Sequence, residues 1–498
     1  MMSQYQALHA HFEKINDLRH LQAICGWDEA AMMPAGGGAA RAGAMSTLGL
    51  VIHDLLTDAI LPGQIDAAGD ESLDQWQLAN LREISRAVTA ATAVPADVVR
   101  RLGLATSRSE QAWRVHRANN DWQAMRPLLE DVVALSAERA VILGEAMGCS
   151  PYDALLDEYE PGVTSATVDR VFADLKAFLP DFAASVIQQQ TSQPVLPLQG
   201  DFSVDKQKAL GVEVMTALGF DFDHGRLDIS HHPFCGGVPD DVRITTRYNT
   251  GNFVESLMGV IHETGHAMYE QGLPVDWRKQ PVGSALSSGT HESQSLLMEM
   301  QAGRTREFLE FLAPRAQRIF LGSSSNDPAW SVDNLHRLYT RVERSFIRVD
   351  ADEVTYPLHV ILRYELEQDL ISGKLAVKDL PDAWNAGMQT YLGLSTAANF
   401  EDGCLQDVHW PAGLFGYFPT YTLGAMTAAQ LFAAATRHVA GLHEHIAQGD
   451  FAPLLTWLRE HVHSKGKLLS FDELMQQATG SPLDASFFKS HLRTRYLR

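Results

Sequence analysis

Apolar positions along most of this chain recur at three- and four-residue steps, the spacing of one face of an α-helix. Leu8, Phe12, Ile15, Leu18 and Leu21 give an N-terminal helix such a face. Segments rich in Ala, Leu, Gln, Glu and Arg follow at about 72–92, 108–147, 165–190 and 204–218. Pro95, Ser150-Pro151, Pro161-Gly162 and the stretch 193–200 punctuate them. Helical spacing resumes through 291–313, 333–371 and 381–394, and Gly403 to Pro419 reads as a Gly-, Pro- and aromatic-rich loop before the closing helices.

One stretch breaks the period. Between Arg226 and Tyr248, LDISHHPF and DVRITTRY alternate and carry β-branched residues, with Gly236-Gly237 between them. They predict a short antiparallel pair within an otherwise helical protein. No internal repeat and no linker marks a boundary, so the expectation is one large, mainly α body over 1–498 with a deep cleft, the helices up to about residue 95 covering it.

Composition refines this picture. With 498 residues, 45% hydrophobic and 20% charged, the chain is an ordinary globular one able to build a large core. A net charge of −21 without a Lys/Arg-rich run argues against a nucleic-acid partner, which needs a basic footprint. Cys25, Cys149, Cys235 and Cys404 show no C-x-x-C spacing, which suits free thiols in a reducing compartment. The N-terminal residues lack the apolar core of a signal peptide, and the 423–442 stretch is broken by Gln430, Arg437 and His438. A soluble, cytoplasmic protein with no membrane partner is expected.

The strongest chemical signal is His262-Glu263-Thr264-Gly265-His266, inside FVESLMGVIHETGHAMYEQG. On a helix, positions i and i+4 share a face, so His262 and His266 can converge on one ion, and Glu263 stands beside it to take a proton from water. Zinc accepts imidazole, acidifies water and polarises carbonyls. A catalytic site needs a third protein ligand. Glu292, roughly 25 residues beyond His266 at the start of another helix, is the first choice; His291 and then Glu299 compete for it.

Several blocks together resemble one family, the carboxypeptidase Taq metallocarboxypeptidases. They are His232-Pro233-Phe234, Asp241-Val242-Arg243-Ile244-Thr245, the His262–His266 motif, His291-Glu292-Ser293-Gln294, Ile347-Arg348-Val349-Asp350-Ala351-Asp352 and Gly403-Cys404-Leu405-Gln406-Asp407-Val408-His409-Trp410. Trp27-Asp28, Met33-Pro34, LLDEYEPG at 155–162 and FGYFPTYTLG at 415–424 extend the likeness over nearly the whole chain. The resemblance implies a fold similar to neurolysin and angiotensin-converting enzyme, a homodimer, zinc replaceable by cobalt, and stepwise release of C-terminal residues from peptides with a free C-terminus.

A carboxypeptidase must hold a terminal carboxylate, which an arginine fork does well. Arg348 is the first candidate and Arg243 the second; by resemblance Arg243 and His232 belong to the closed end of the groove. His409 and Tyr421 resemble the histidine and tyrosine donors of the wider helical peptidase group, with Tyr417 the rival tyrosine, while Gln406 and Asp407 are expected to orient His409. The competing readings are a zinc endopeptidase or oligopeptidase on the same scaffold and a catalytically silent helical metal-binding protein.

Overall fold

A computed structural model describes residues 2–497. Helices dominate it, and one contiguous core runs from Trp122 to Tyr496. The helices 165–190 and 204–218 fall where periodicity predicts them. Three expected helices are broken, the 291–313 segment at Gly303–Thr305, where Thr305 caps a new helix Arg306–Leu321. The 108–147 segment becomes Ala96–Ala118 and Trp122–Met147, separated where Asn120 adopts φ 54° and Asp121 caps the second helix. The 333–371 segment splits into Val332–Tyr339 and Tyr356–Ile371. The intervening loop carries Arg348, and Asp352 accepts the N–H groups of Glu343, Val354 and Thr355. Local side-chain bonds there satisfy the backbone in place of a helix ladder. Among the described residues no single helix is long and apolar enough to cross a membrane.

The N-terminal helices have their own core of Tyr5, Leu8, Phe12, Ile15, Ile52, Leu61, Leu81, Ile84 and Val88. Leu21, expected on that face, is 58% exposed, because helix Gln4–Ala31 runs on past its small core. Polar and aromatic contacts join this unit to the body. Buried Asn80 donates to Gln280 Oε1 at 2.9 Å and accepts from the Val282 N–H, and Trp76 stacks on Trp277 with centroids 5.6 Å apart. At the other end of Gln4–Ala31, Trp27 lies under the guanidiniums of Arg243 (4.5 Å) and Arg226 (5.4 Å).

The expected antiparallel pair is present but is built differently. There are three strands, β1 Gly225–Ile229, β2 Phe234–Val238 and β3 Asp241–Thr246, in the order β1-β3-β2. The antiparallel partners are β2 and β3, with Gly236-Gly237 inside β2 rather than in the turn. β1 pairs parallel to β3, because the Ser230–Pro233 connection carries the chain past β3 before it reverses. Gly237 has φ 88° and a Cβ there would lie 2.1 Å from the Asp241 carbonyl oxygen, so this tight hairpin needs glycine. Leu227, Val242 and Ile244 turn inward onto Val260 and Ala267 of helix Phe253–Gly272, which seats that helix.

Candidate active site

Helix Phe253–Gly272 starts at Asn252, whose side chain accepts the Val254 N–H at 3.1 Å. Phe253, Leu257, Ile261 and Met268 bury one flank in the main core and leave His262 and His266 on the other. The helix Ser288–Leu296 crosses it closely: a Cβ on Gly265 would sit 2.5 Å from the Gln294 carbonyl oxygen. Behind it, a Cβ on Gly424 of helix Pro419–His438 would sit 2.8 Å from Glu292 Cγ. Two glycines thus let three helices close around Glu292.

The result is a compact donor set. His262 Nε2 and His266 Nε2 lie 3.7 and 3.4 Å from the same oxygen, Oε2 of Glu292. In a tetrahedral site with bonds of about 2.0–2.2 Å, neighbouring donors stand roughly 3.3–3.6 Å apart, so these three residues fit one divalent cation with little movement. Among the described residues no other His, Cys, Asp or Glu cluster meets this geometry. The three side chains keep 22%, 14% and 15% exposure, enough for substrate to reach them.

The two competing candidates for third ligand lie behind the imidazoles. Glu299 Oε2 stands 3.0 Å from His262 Nδ1, and its other oxygen pairs with Arg304 at 2.6 Å. His291 Nδ1 stands 2.5 Å from His266 Nδ1, and its Nε2 reaches Glu270 Oε1 at 2.8 Å. Glu299 occupies the π-helical turn Leu297–Ala302, which re-aims the chain after the ligand helix. Glu270 is one helical turn beyond His266 and Glu299 two turns beyond Glu292, spacings that a reading of helix faces could have found.

Electrostatics favour positive charge at the centre. Burial works against charge on His262, yet Glu292, Glu299 and Glu263 lift it to about 10. Burial would also raise Glu292, but His262 and a hydrogen bond to His266 outweigh it and hold the carboxyl at about 2. Glu263, left out of the donor set, is pushed up to about 7, chiefly by burial and against the attraction of His262.

The second cluster is a buried triad of charges. Arg348 Nε and Nη2 donate to Asp407 Oδ1 at 3.1 and 2.9 Å, and its Nη1 donates to the Tyr356 hydroxyl at 2.6 Å. Arg363, fully buried, donates from Nε to Asp407 Oδ2 at 2.6 Å. One carboxylate therefore faces two guanidiniums, and one positive charge remains. Gln406 accepts the Arg348 N–H at 2.8 Å, so Gln406 and Asp407 hold Arg348 rather than His409. His409 Nδ1 lies 3.8 Å from Asp407 Oδ1, beyond hydrogen-bond reach, and the ring packs on Phe418 at 4.4 Å. Its Nε2 meets the Tyr421 hydroxyl at 3.2 Å, and burial pushes it down to about 4, so it is neutral at neutral pH. The Arg348 guanidinium lies 4.8 Å over the Tyr421 ring, and Tyr421 is one turn before Gly424, which backs onto Glu292. The two clusters therefore share one wall. Tyr417 stacks edge-on to Tyr159 at 4.9 Å beside Tyr421.

Away from that wall, Arg243 is committed to Asp241 through Nε and Nη2 at 2.5 and 2.7 Å and lies on Trp27. His232 is exposed on the connection between β1 and β2. Arg363 and Tyr356 were not legible as site residues, since nothing local ties them to Asp407.

One further acid positions the ligand helix. Glu160 is buried and accepts the N–H of Gly289, while Ser288 N–H donates to the Tyr159 carbonyl at 2.8 Å. Burial pushes Glu160 up to about 8, against the pull of Ser287 and the Gly289 N–H. A carboxyl raised from its ordinary 4.5 contributes stability that is full below that value and is lost as pH rises through about 8. The loss is on the order of 4 kcal/mol, or roughly 4 °C in Tm for a chain of this size. Thermal scans should therefore show this contribution as a fall in Tm between about pH 4.5 and 8, and Glu160→Gln should flatten that fall. An unchanged slope in the variant would place the titration elsewhere.

A helical body that gathers a His-His-Glu donor set with Glu263 beside it, outside the set, has the arrangement of a metal-dependent hydrolase. Residues 7–496 match the carboxypeptidase Taq (M32) metallopeptidase family. A thermostable carboxypeptidase 1 from Thermus thermophilus is 38% identical over 491 residues, covering 96% of this chain and 95% of that one. Carboxypeptidase 1 from Bacillus subtilis is 34% identical, covering 97% and 96%. Among solved structures, Trypanosoma cruzi metallocarboxypeptidase 1 superposes with a TM-score of 0.97 at 42% identity, each chain covered completely. The chain belongs to the carboxypeptidase Taq (M32) family. It is a metallocarboxypeptidase acting on peptides, and the endopeptidase and silent-scaffold readings find no support in its relatives.

Proposed function

We propose that this enzyme removes C-terminal residues one at a time, with broad preference, from peptides with a free C-terminus. We further propose that His262, His266 and Glu292 hold zinc, which cobalt can replace. The observation that carries the reading is the unneutralised positive charge of the Arg348–Asp407–Arg363 cluster, one wall away from the donor set. A divalent cation bound there supplies a Lewis acid that polarises the scissile carbonyl and makes water acidic at neutral pH.

The residues of the chain do the rest. Glu263 takes a proton from the attacking water and delivers it to the departing amine nitrogen. Arg348 binds the terminal carboxylate with the N–H groups that Asp407 and Tyr356 leave free, so the last peptide bond is the one presented to Glu263. Tyr421 donates its hydroxyl to the oxygen that gains charge, with neutral His409 beside it as a second donor. Arg243 and His232 close the far end of the groove, with Trp27 of the N-terminal unit stacked on Arg243.

Four unpaired cysteines suit a reducing cytoplasm. The homodimer follows from the family resemblance and is checked by sedimentation. The activity is tested with paired peptides, one free and one amidated at the C-terminus, with zinc, cobalt or chelator. Stepwise release of free amino acid from the unamidated peptide alone, abolished by chelator, is the expected result. Internal cleavage of both peptides would remove the role given to Arg348.

A further inference from the structure

The two imidazoles of the donor set are supported differently. His262 Nδ1 meets a carboxylate directly, Glu299 Oε2 at 3.0 Å. His266 Nδ1 meets another imidazole, His291, and a carboxylate follows only one ring later, at Glu270. His266 turns Nε2 toward Glu292 Oε2, so a neutral His266 that offers Nε2 to a cation carries its proton on Nδ1. That proton has one acceptor here, Nδ1 of His291, which must then present a lone pair. The His291 proton consequently sits on Nε2 and is donated to Glu270 Oε1. Proton order along the line Glu270, His291, His266 is thus fixed from end to end.

His291 is also held in place. Its ring lies against Tyr269, centroids 5.4 Å apart, and the Tyr269 hydroxyl accepts the Leu286 N–H at 3.1 Å. Both Glu270 and His266 belong to helix Phe253–Gly272, while His291 comes from the crossing helix Ser288–Leu296 next to Glu292. The relay therefore locks the two ligand-bearing helices in register, as well as fixing the tautomer of His266.

We propose that His291, backed by Glu270, is a positioning residue that sets the tautomer and ring plane of His266 and makes it a stronger donor, without itself touching metal or substrate. This rests on the reading of His262, His266 and Glu292 as ligands. The part that bears on the cation is a second interaction sphere of the kind whose loss weakens metal binding by about 10- to 100-fold.

The test is cobalt(II) binding to the full chain, read as a dissociation constant by chelator competition and as the visible absorption of bound cobalt, alongside the Tm of the metal-free protein. His291→Leu should weaken cobalt binding by about 10- to 100-fold and alter the cobalt spectrum. His291→Asn places an amide oxygen near the original Nδ1, so it should recover much of the affinity while losing the link to Glu270. Glu270→Gln should fall between the wild type and His291→Leu. Glu292→Gln is the reference for a lost ligand and should weaken binding far more than any of these. If Glu292→Gln binds as the wild type does, the ligand reading fails. If His291→Leu matches Glu292→Gln, His291 is a ligand and the proposal is overturned. It is equally overturned if His291→Leu binds normally, or if Leu and Asn variants lose affinity equally in step with a lowered metal-free Tm.

Discussion

Glu263→Gln should lower kcat on a free C-terminal peptide by about three to four orders of magnitude, while KM and the bound metal per chain stay near the wild-type values. The substitution keeps the shape of the side chain and removes only its ability to carry a proton. Glu263 lies outside the three-donor set, so the cation should remain, which metal analysis of the variant checks. A variant that loses its metal together with activity would mean that Glu263 supports binding and that the base is another group. The pH dependence follows from the same carboxyl. Burial pushes Glu263 up to about 7, and a general base works only when deprotonated, so kcat/KM should fall as pH drops below that range. A cation beside it adds attraction for the charged form and moves this acid limb lower. Glu263→Gln should lose the limb along with the rate.

Arg348→Lys is the second large effect. The lysine keeps one positive charge but loses the planar fork that meets Asp407, Tyr356 and a substrate carboxylate together. We expect kcat/KM on free C-terminal peptides to fall by about 100-fold, mainly through KM, with little change on an amidated peptide. Discrimination between the two substrates should then largely disappear. A variant that keeps full discrimination would move the carboxylate anchor to Arg363 or Arg243. Arg243 is the weaker alternative on position, because it pairs with Asp241 and lies on Trp27, whereas Arg348 lies over Tyr421 on the wall that backs Glu292. Thermal stability of Arg348→Lys should be measured in parallel, since removing a partner from a buried ion pair can itself cost a few kcal/mol.

These two results bear on different parts of one wall. In the proposed mechanism Glu263 answers for the proton, and Arg348 answers for which bond is presented. Tyr421 links them, one turn from the glycine that packs on Glu292 and under the Arg348 guanidinium. Helix Pro419–His438 backs Glu292 at Gly424 and sets Tyr421 against the loop-borne Arg348, so one rigid element contacts both clusters.

Much of this protein was legible in its sequence by itself. Helical period dictated most of the elements, because each amphipathic helix must bury its own stripe and that requirement is local. The i, i+4 spacing of His262 and His266 dictated a shared face, and Glu263 its place beside it, for the same local reason. Other features depend on contacts between residues far apart in the chain, which leave no periodic trace. Whether Glu292, His291 or Glu299 completes the donor set was decided by the glycine-lined crossing of three helices at Gly265 and Gly424. The partner of Asp407 was decided by Arg363, 44 positions away, and by Arg348, 59 positions away. The parallel placement of β1 was decided by the path of the Ser230–Pro233 connection, since alternation along a strand is the same whichever way its neighbour runs. Local chemistry named the candidate residues; tertiary packing decided which of them share the donor set and which stand behind it.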